Sequence, residues 1–216
     1  MSQPTIDQRL LAAQIAIGNA RSDADILAAL SIFGYDEAKL DAAQALYDEV
    51  QALVNKQKLE YGEQYEATEM VKAAWDKANT AYMNTIKIAR VALKGNTKAR
   101  AALMLDKQRK RSVSGWLEQA TAFYTNLLTT PDLMAAINVF GYDRAKLKAE
   151  QALVQTVTDA SMVQKKETGE AQEATKLRDA KLDELDEWMS DFKVVAQVAL
   201  EENGQWLEKL GLYIVP

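Results

Sequence analysis

Six glutamates recur in two matching polar stretches. QKLEYGEQYEAT at 57–68 carries Glu60, Glu63 and Glu66, and QKKETGEAQEAT at 164–175 carries Glu167, Glu170 and Glu173. Residues three apart share a face of a helix, so each ExxE pair presents carboxylate oxygens of the kind that hold a divalent cation. The same residues also read as a solvated acidic face beside Lys56 and Lys58, retained through duplication.

The ExxE pattern resembles that of helical nucleoside-triphosphate pyrophosphatases, in which acidic pairs on two helices bind magnesium. The resemblance implies a Mg-dependent nucleotide pyrophosphohydrolase using paired glutamates, with Glu170 and Glu173 of the second stretch in that role. Such a site needs a second acidic pair facing the first. Asp183, Asp186, Glu187 and Asp191 offer one downstream of the second stretch, whereas the first is followed only by Asp76 with Lys77 and Asn79 nearby.

A basic segment occupies 94–111. Lys94, Lys98, Arg100, Lys107, Arg109, Lys110 and Arg111 are opposed only by Asp106, a charge density that attracts phosphate, nucleic acid or an anionic surface. Against nucleic acid stand the net charge of −5 and the lack of aromatics interleaved with the cations. An exposed helix face accounts for the segment with fewer assumptions. Trp75, Trp116, Trp188, Trp206, Tyr82 and Phe192 fall at apolar helical spacing and read as core. The closing LGLYIVP reads as a segment that docks on the bundle or on a partner.

Missing side chains exclude more than the present ones suggest. The 216 residues contain no cysteine and no histidine, which removes thiolate and imidazole nucleophiles, bases and metal ligands, and with them disulfides and Ser-His-Asp or Cys-His catalysis. No catalytic, cofactor-binding or metal-binding residue is therefore assigned, and no cofactor is expected. MSQPTIDQRLL has no basic region followed by an apolar core, and no apolar run approaches a membrane span. A soluble, cytoplasmic chain is the expectation.

The elements that must position these groups are helices. The chain is rich in Ala, Leu, Lys, Glu and Gln, and its three prolines, Pro4, Pro131 and Pro216, leave residues 5–130 free of helix breakers. Shifting the sequence by 107 residues lays Ile26–Asn96 on Leu133–Asn203 without a gap and with 29 of 71 positions identical. Unrelated sequences match at roughly one position in sixteen, so an internal duplication is read here. Its clearest block is Phe33-Gly34-Tyr35-Asp36 with Ala38-Lys39-Leu40, repeated as Phe140-Gly141-Tyr142-Asp143 with Ala145-Lys146-Leu147. Gly34 and Gly141 suit the left-handed position past a helix end, and Asp36 and Asp143 suit the N-cap of the next helix.

Each repeat is expected to supply an opening helix, a short helix before the corner, two long helices and a closing helix. A turn at Gly62 and at Gly169 would separate the long helices, because one continuous helix over 37–94 would run roughly 87 Å, too far to be covered by the rest of its own repeat. Gly115, in Arg111-Ser112-Val113-Ser114-Gly115, is the expected break between repeats. The resulting expectation is an all-α fold of two tandem up-and-down helical bundles, 1–111 and 112–216. The FGYD corner, GEAQEAT and DELDEWMSDF at 183–192 resemble uncharacterised bacterial tandem helical-bundle proteins, a resemblance that implies the fold and transfers no catalytic residue. The functional expectation is a non-enzymatic helical scaffold or protein-interaction module whose partner is another protein or a second copy of the chain. Nucleotide hydrolysis and nucleic-acid binding through 94–111 are the alternatives.

Overall fold

A computed structural model describes residues 4–212. Among them are eight α-helices and no strand, which is the all-α class expected. They are α1 (Ile6–Ser22), α2 (Ala24–Ser31), α3 (Glu37–Ala92), α4 (Thr97–Ala102), α5 (Val113–Thr129), α6 (Pro131–Asn138), α7 (Arg144–Ala199) and α8 (Gly204–Lys209). Each of the first four is followed 107 residues later by a helix of the same length, 17, 8, 56 and 6 residues in turn. None of the eight is long and apolar enough to cross a membrane.

The repeated corner is built from its glycine outward. Gly34 takes φ +80° and Gly141 φ +78°, a left-handed backbone that costs a side-chain-bearing residue about 1 kcal/mol. At the first corner the Gly34 N–H donates to the Ser31 carbonyl and the Tyr35 N–H to the Leu30 carbonyl, both at 3.1 Å, closing the end of α2 as a Schellman cap. The next helix then starts on an aspartate. Asp36 Oδ1 accepts from the Lys39 N–H at 2.9 Å, and Asp143 Oδ1 from the Lys146 N–H at 2.8 Å. The lysine of each block lies over the tyrosine ring of its own corner, at 3.8 Å for Lys39 on Tyr35 and 3.6 Å for Lys146 on Tyr142.

The expected turns at Gly62 and Gly169 do not form. Both glycines lie inside unbroken 56-residue helices, α3 and α7. Glycine costs a helix about 1 kcal/mol relative to alanine but keeps its N–H in the hydrogen-bond ladder, and the flanking Lys, Leu, Glu, Gln and Ala are strong helix formers. Without proline, nothing forces the ladder open. The break between repeats also falls earlier than Gly115. The chain leaves the helix at Leu103 and re-enters it at Val113, with the Ser112 hydroxyl accepting from the Gly115 N–H in the first turn of α5. Glycine is required there because a Cβ would stand 2.6 Å from Lys110 Cδ.

Long helices that run on must be covered by something other than their own repeat. Contacts divide the chain into one unit of Met1–Tyr61 with Glu170–Pro216 and another of Gly62–Gly169, so the compact units do not coincide with 1–111 and 112–216. In the first unit, Ala13, Ile17 and Ala20 of α1, Ile26 and Leu30 of α2 and Leu40, Tyr47 and Val50 of α3 are buried along with Leu182, Leu185, Phe192 and Ala196 of α7. Leu207, Leu210 and Leu212 complete that core. In the second unit, Tyr82, Ile86 and Ala89 of α3 pack with Trp116, Phe123, Tyr124 and Leu127 of α5, Leu133 and Ile137 of α6, and Leu147, Val154 and Val157 of α7. Each unit thus joins the first half of one long helix to the second half of the other.

The pairing is antiparallel and is sealed by the same residues each time. In the first unit Gln57 Nε2 donates to Thr175 Oγ1 at 3.0 Å, and Lys181 Nζ lies 3.5 Å from Glu49 Oε2. In the second, Gln164 Nε2 donates to Thr68 Oγ1 at 3.1 Å. Gln164 and Thr175 are the positions 107 residues beyond Gln57 and Thr68, so one Gln–Thr contact is made twice with the repeats interchanged.

Helix continuity through the two polar stretches is testable. A Cβ at Gly62 or Gly169 meets nothing within 4 Å. Gly62→Ala and Gly169→Ala should each stabilise the protein by about 0.5–1 kcal/mol, read as a melting temperature higher by about 2–4 °C. A turn at these positions would give the opposite sign. Gly34→Ala, at a positive φ, should lower the melting temperature.

Candidate functional site

The acidic stretches fall on the faces of α3 and α7. In the second unit Glu63 and Glu66 are exposed and Glu167 is half-buried, and the three line an open cleft of about 210 Å³ floored by Ala67, Met70 and Val163. Glu167 has a cation beside it, with Lys166 Nζ 3.2 Å from Oε1. In the first unit the half-buried Glu60 and Glu170 bring carboxylate oxygens within 4.8 Å of each other, while Glu173 is exposed. Carboxylate oxygens at that spacing can ligate one cation.

The second acidic set does not face the first. Because α7 runs straight through Gly169, Asp183 lies thirteen residues beyond Glu170 on the same helix, about 20 Å along its axis. Asp186 and Asp183 are engaged instead by Arg9 of α1. Its Nε donates to Asp186 Oδ1 at 3.0 Å, its Nη2 bonds Asp186 Oδ2, and Nη2 stands 3.8 Å from Asp183 Oδ1. These aspartates hold α1 on α7. In the other unit Asn79 Oδ1 accepts from Trp116 Nε1 at 2.8 Å, which fixes the indole in the core.

Three of the seven cations of the basic segment, Arg100, Arg109 and Lys110, are engaged within their own unit. Arg109 Nη1 donates to the Tyr82 hydroxyl at 2.7 Å, and its Nη2 donates to the Met104 and Lys107 carbonyls, the latter at 2.7 Å. Arg100 pairs with Asp106, and Lys110 pairs with Glu118. Arg90, from α3, donates to the Leu105 carbonyl at 2.7 Å. The guanidinium groups tie the irregular turn after α4 onto α3, satisfying carbonyls that no helix uses.

The aromatics form core rather than an open cage. Tyr82 meets Trp116 edge-on at 5.9 Å and Phe123 at 5.3 Å in one unit, and Trp188 stacks on Phe192 at 4.9 Å in the other. Of the closing LGLYIVP, Leu210 and Leu212 are buried in the first unit, and the expectation for Tyr213–Pro216 lies outside the described residues.

A polar network and an exposed apolar pair were not singled out by the sequence reading. Inside the second unit, Glu150 Oε2 accepts from the Tyr124 hydroxyl at 3.0 Å and lies 2.5 Å from Thr85 Oγ1, with all three residues buried. Burial, reinforced by the neighbouring Glu150 carboxylate, pushes the Tyr124 hydroxyl well above its usual range. Burial also raises Tyr82, against the opposing pull of Arg109. The sequence signal for the network was a mismatch between copies: Thr85 aligns with Phe192, Tyr124 with Ile17 and Glu150 with Ala43.

The apolar pair sits at the corners. Ile32 is 81% and Phe33 48% exposed, and their counterparts Val139 and Phe140 are 82% and 44% exposed. Met70 with its counterpart Leu177, and Val91 with Val198, are also exposed in both copies. Repetition of an apolar type at an uncovered position was the signal available for these residues.

Scans against protein-family models, curated proteins and solved structures find no match to this chain.

The buried tyrosines set a pH dependence. Both Tyr82 and Tyr124 are raised, so the folded state holds their protons more tightly than the unfolded state does. Their contribution to stability is complete below the ordinary tyrosine value of 10.0 and is lost as pH climbs through the higher folded values. The melting temperature should fall on the alkaline side of pH 10, and more gently in Tyr82→Phe than in the parent. Equal slopes in the two proteins would refute the assignment to Tyr82.

Proposed function

We propose that the protein is a non-enzymatic helical scaffold or protein-interaction module. The observation that carries this reading is the exposed apolar pair Ile32–Phe33, repeated as Val139–Phe140 at the corner of the second copy. The corner itself needs only the glycine, the aspartate cap and the tyrosine under its lysine. Capping leaves the two preceding apolar side chains unexplained, since a β-branched residue adds nothing to a helix end. Apolar side chains left uncovered side by side, unlike ones scattered singly, mark contact surfaces. Two copies that have diverged at 42 of 71 aligned positions keep an aliphatic β-branched residue followed by phenylalanine here.

The charged groups support the same reading. Asp183, Asp186, Arg100, Arg109 and Lys110 each have a partner within their own unit, so their chemistry is that of holding helices in place. The partner is a protein surface, either another chain or a second copy of this one.

Ile32→Ser and Val139→Ser test the proposal, because both side chains are largely in water and their removal should move the melting temperature by no more than about 2 °C. Light scattering over a range of concentrations and pull-downs should show association by the parent and its loss in the double variant. A parent protein that stays strictly monomeric and captures no partner would sink the reading. Calorimetric titration with Mg²⁺ and nucleotide should give no heat that Glu170→Gln and Glu173→Gln abolish.

A further inference from the structure

Two similar copies in one chain create an ambiguity of pairing. Each first-half helix segment has two suitable partners: the second half of the other long helix, as observed, or the second half of its own, reached by a bend at Gly62 or Gly169 or supplied by a second copy of the chain. The Gln57–Thr175 and Gln164–Thr68 contacts cannot decide between them, because Gln57 with Thr68 would make the same bond.

The core can decide. In the second unit small Thr85 faces long Glu150, and the Tyr124 hydroxyl donates to the same carboxylate oxygen. The equivalent positions of the first unit hold the large Phe192, packed on Tyr35 and Trp188, and the small Ala43, with Ile17 in place of the tyrosine, all buried. Size and polarity are reversed together. Same-repeat pairing would set Thr85 with Ala43, leaving a void, and Phe192 with Glu150, crowding a buried carboxylate against a ring that offers it no donor. Voids, overpacking and unsatisfied buried polar groups are each strongly unfavourable. We infer that the Thr85–Glu150–Tyr124 network, set against Phe192 and Ala43 at the equivalent positions of the other copy, selects pairing between repeats over pairing within a repeat.

The absence of cysteine allows a direct test in the full chain. Gln57→Cys with Thr175→Cys reports pairing between repeats. Gln57→Cys with Thr68→Cys reports pairing within a repeat, because those positions are about 16 Å apart along one unbroken helix. In the parent, the first pair should oxidise to an intramolecular disulfide and the second should stay reduced. Thr85→Phe should lower the melting temperature by about 5–10 °C and cut the 57–175 yield several-fold. Adding Glu150→Ala, which recreates the Phe–Ala combination of the other unit, should restore both although Glu150→Ala alone is also destabilising. The transposed variant T85F/F192T should exchange the 57–175 link for 57–68 links. Additive losses from T85F and E150A would overturn the inference, as would a transposed variant that keeps the parent's 57–175 yield.

Discussion

The backbone hydrogen-bond ladder running through Gly62 and Gly169 is the constraint from which the rest of the architecture follows. A 56-residue helix cannot bury its apolar stripe against the three short helices of its own repeat. Once the ladder stays closed, the second half of α3 must find cover among residues that follow it by some seventy positions, and the second half of α7 among residues that precede it. Two glycines weaken the ladder by about 1 kcal/mol each, while a turn would open several hydrogen bonds and expose their donors and acceptors. The flanking residues, strong helix formers throughout, settle the balance in favour of the rod.

Charge follows from that arrangement. Arg9 reaches Asp186 because α1 and the second half of α7 belong to one unit, and Lys181 reaches Glu49 for the same reason. Residues that resemble an acidic metal-binding set in the sequence become clamps between helices once α7 is straight. The basic segment undergoes a parallel change of meaning. Arg90, Arg100 and Arg109 donate to carbonyls and a carboxylate of the turn between α4 and α5, where the backbone has left the helix and needs partners. A high count of charged side chains is here a consequence of tying irregular backbone to long helices.

Local features were legible in the sequence and long-range pairing was not. The FGYD corner could be read because a positive-φ glycine and an aspartate cap act within a few residues of themselves, and the all-α class followed from propensity and apolar spacing, although five helices per repeat were expected where four are described. The turns at Gly62 and Gly169 were misread because the argument for them was about coverage, and coverage depends on which segments meet. A repeated sequence is the worst case for that inference: both pairings present the same apolar stripe and the same Gln–Thr contact. Glu150 drew no reading from the sequence, because the groups that engage it, Thr85 and Tyr124, arrive from other helices. Ile32 and Val139 drew no reading either, since an apolar residue next to a helix end carries no local mark of exposure.

Comparison of the two copies separates three kinds of constraint by what has been kept. Backbone conformation kept Gly34 and Gly141, whose positive φ strains any residue with a Cβ, along with the aspartates that start the long helices, which are among the favoured N-caps. The core allowed side chains at equivalent positions to differ, so that Thr85 and Glu150 stand where the other copy has Phe192 and Ala43. At Ile32 and Val139 neither constraint operates. The φ is ordinary, no cap bond uses the side chain, and most of its surface is in water. An apolar class retained at two exposed corners, where the molecule's own stability does not require it, is the observation on which the proposed interaction role rests.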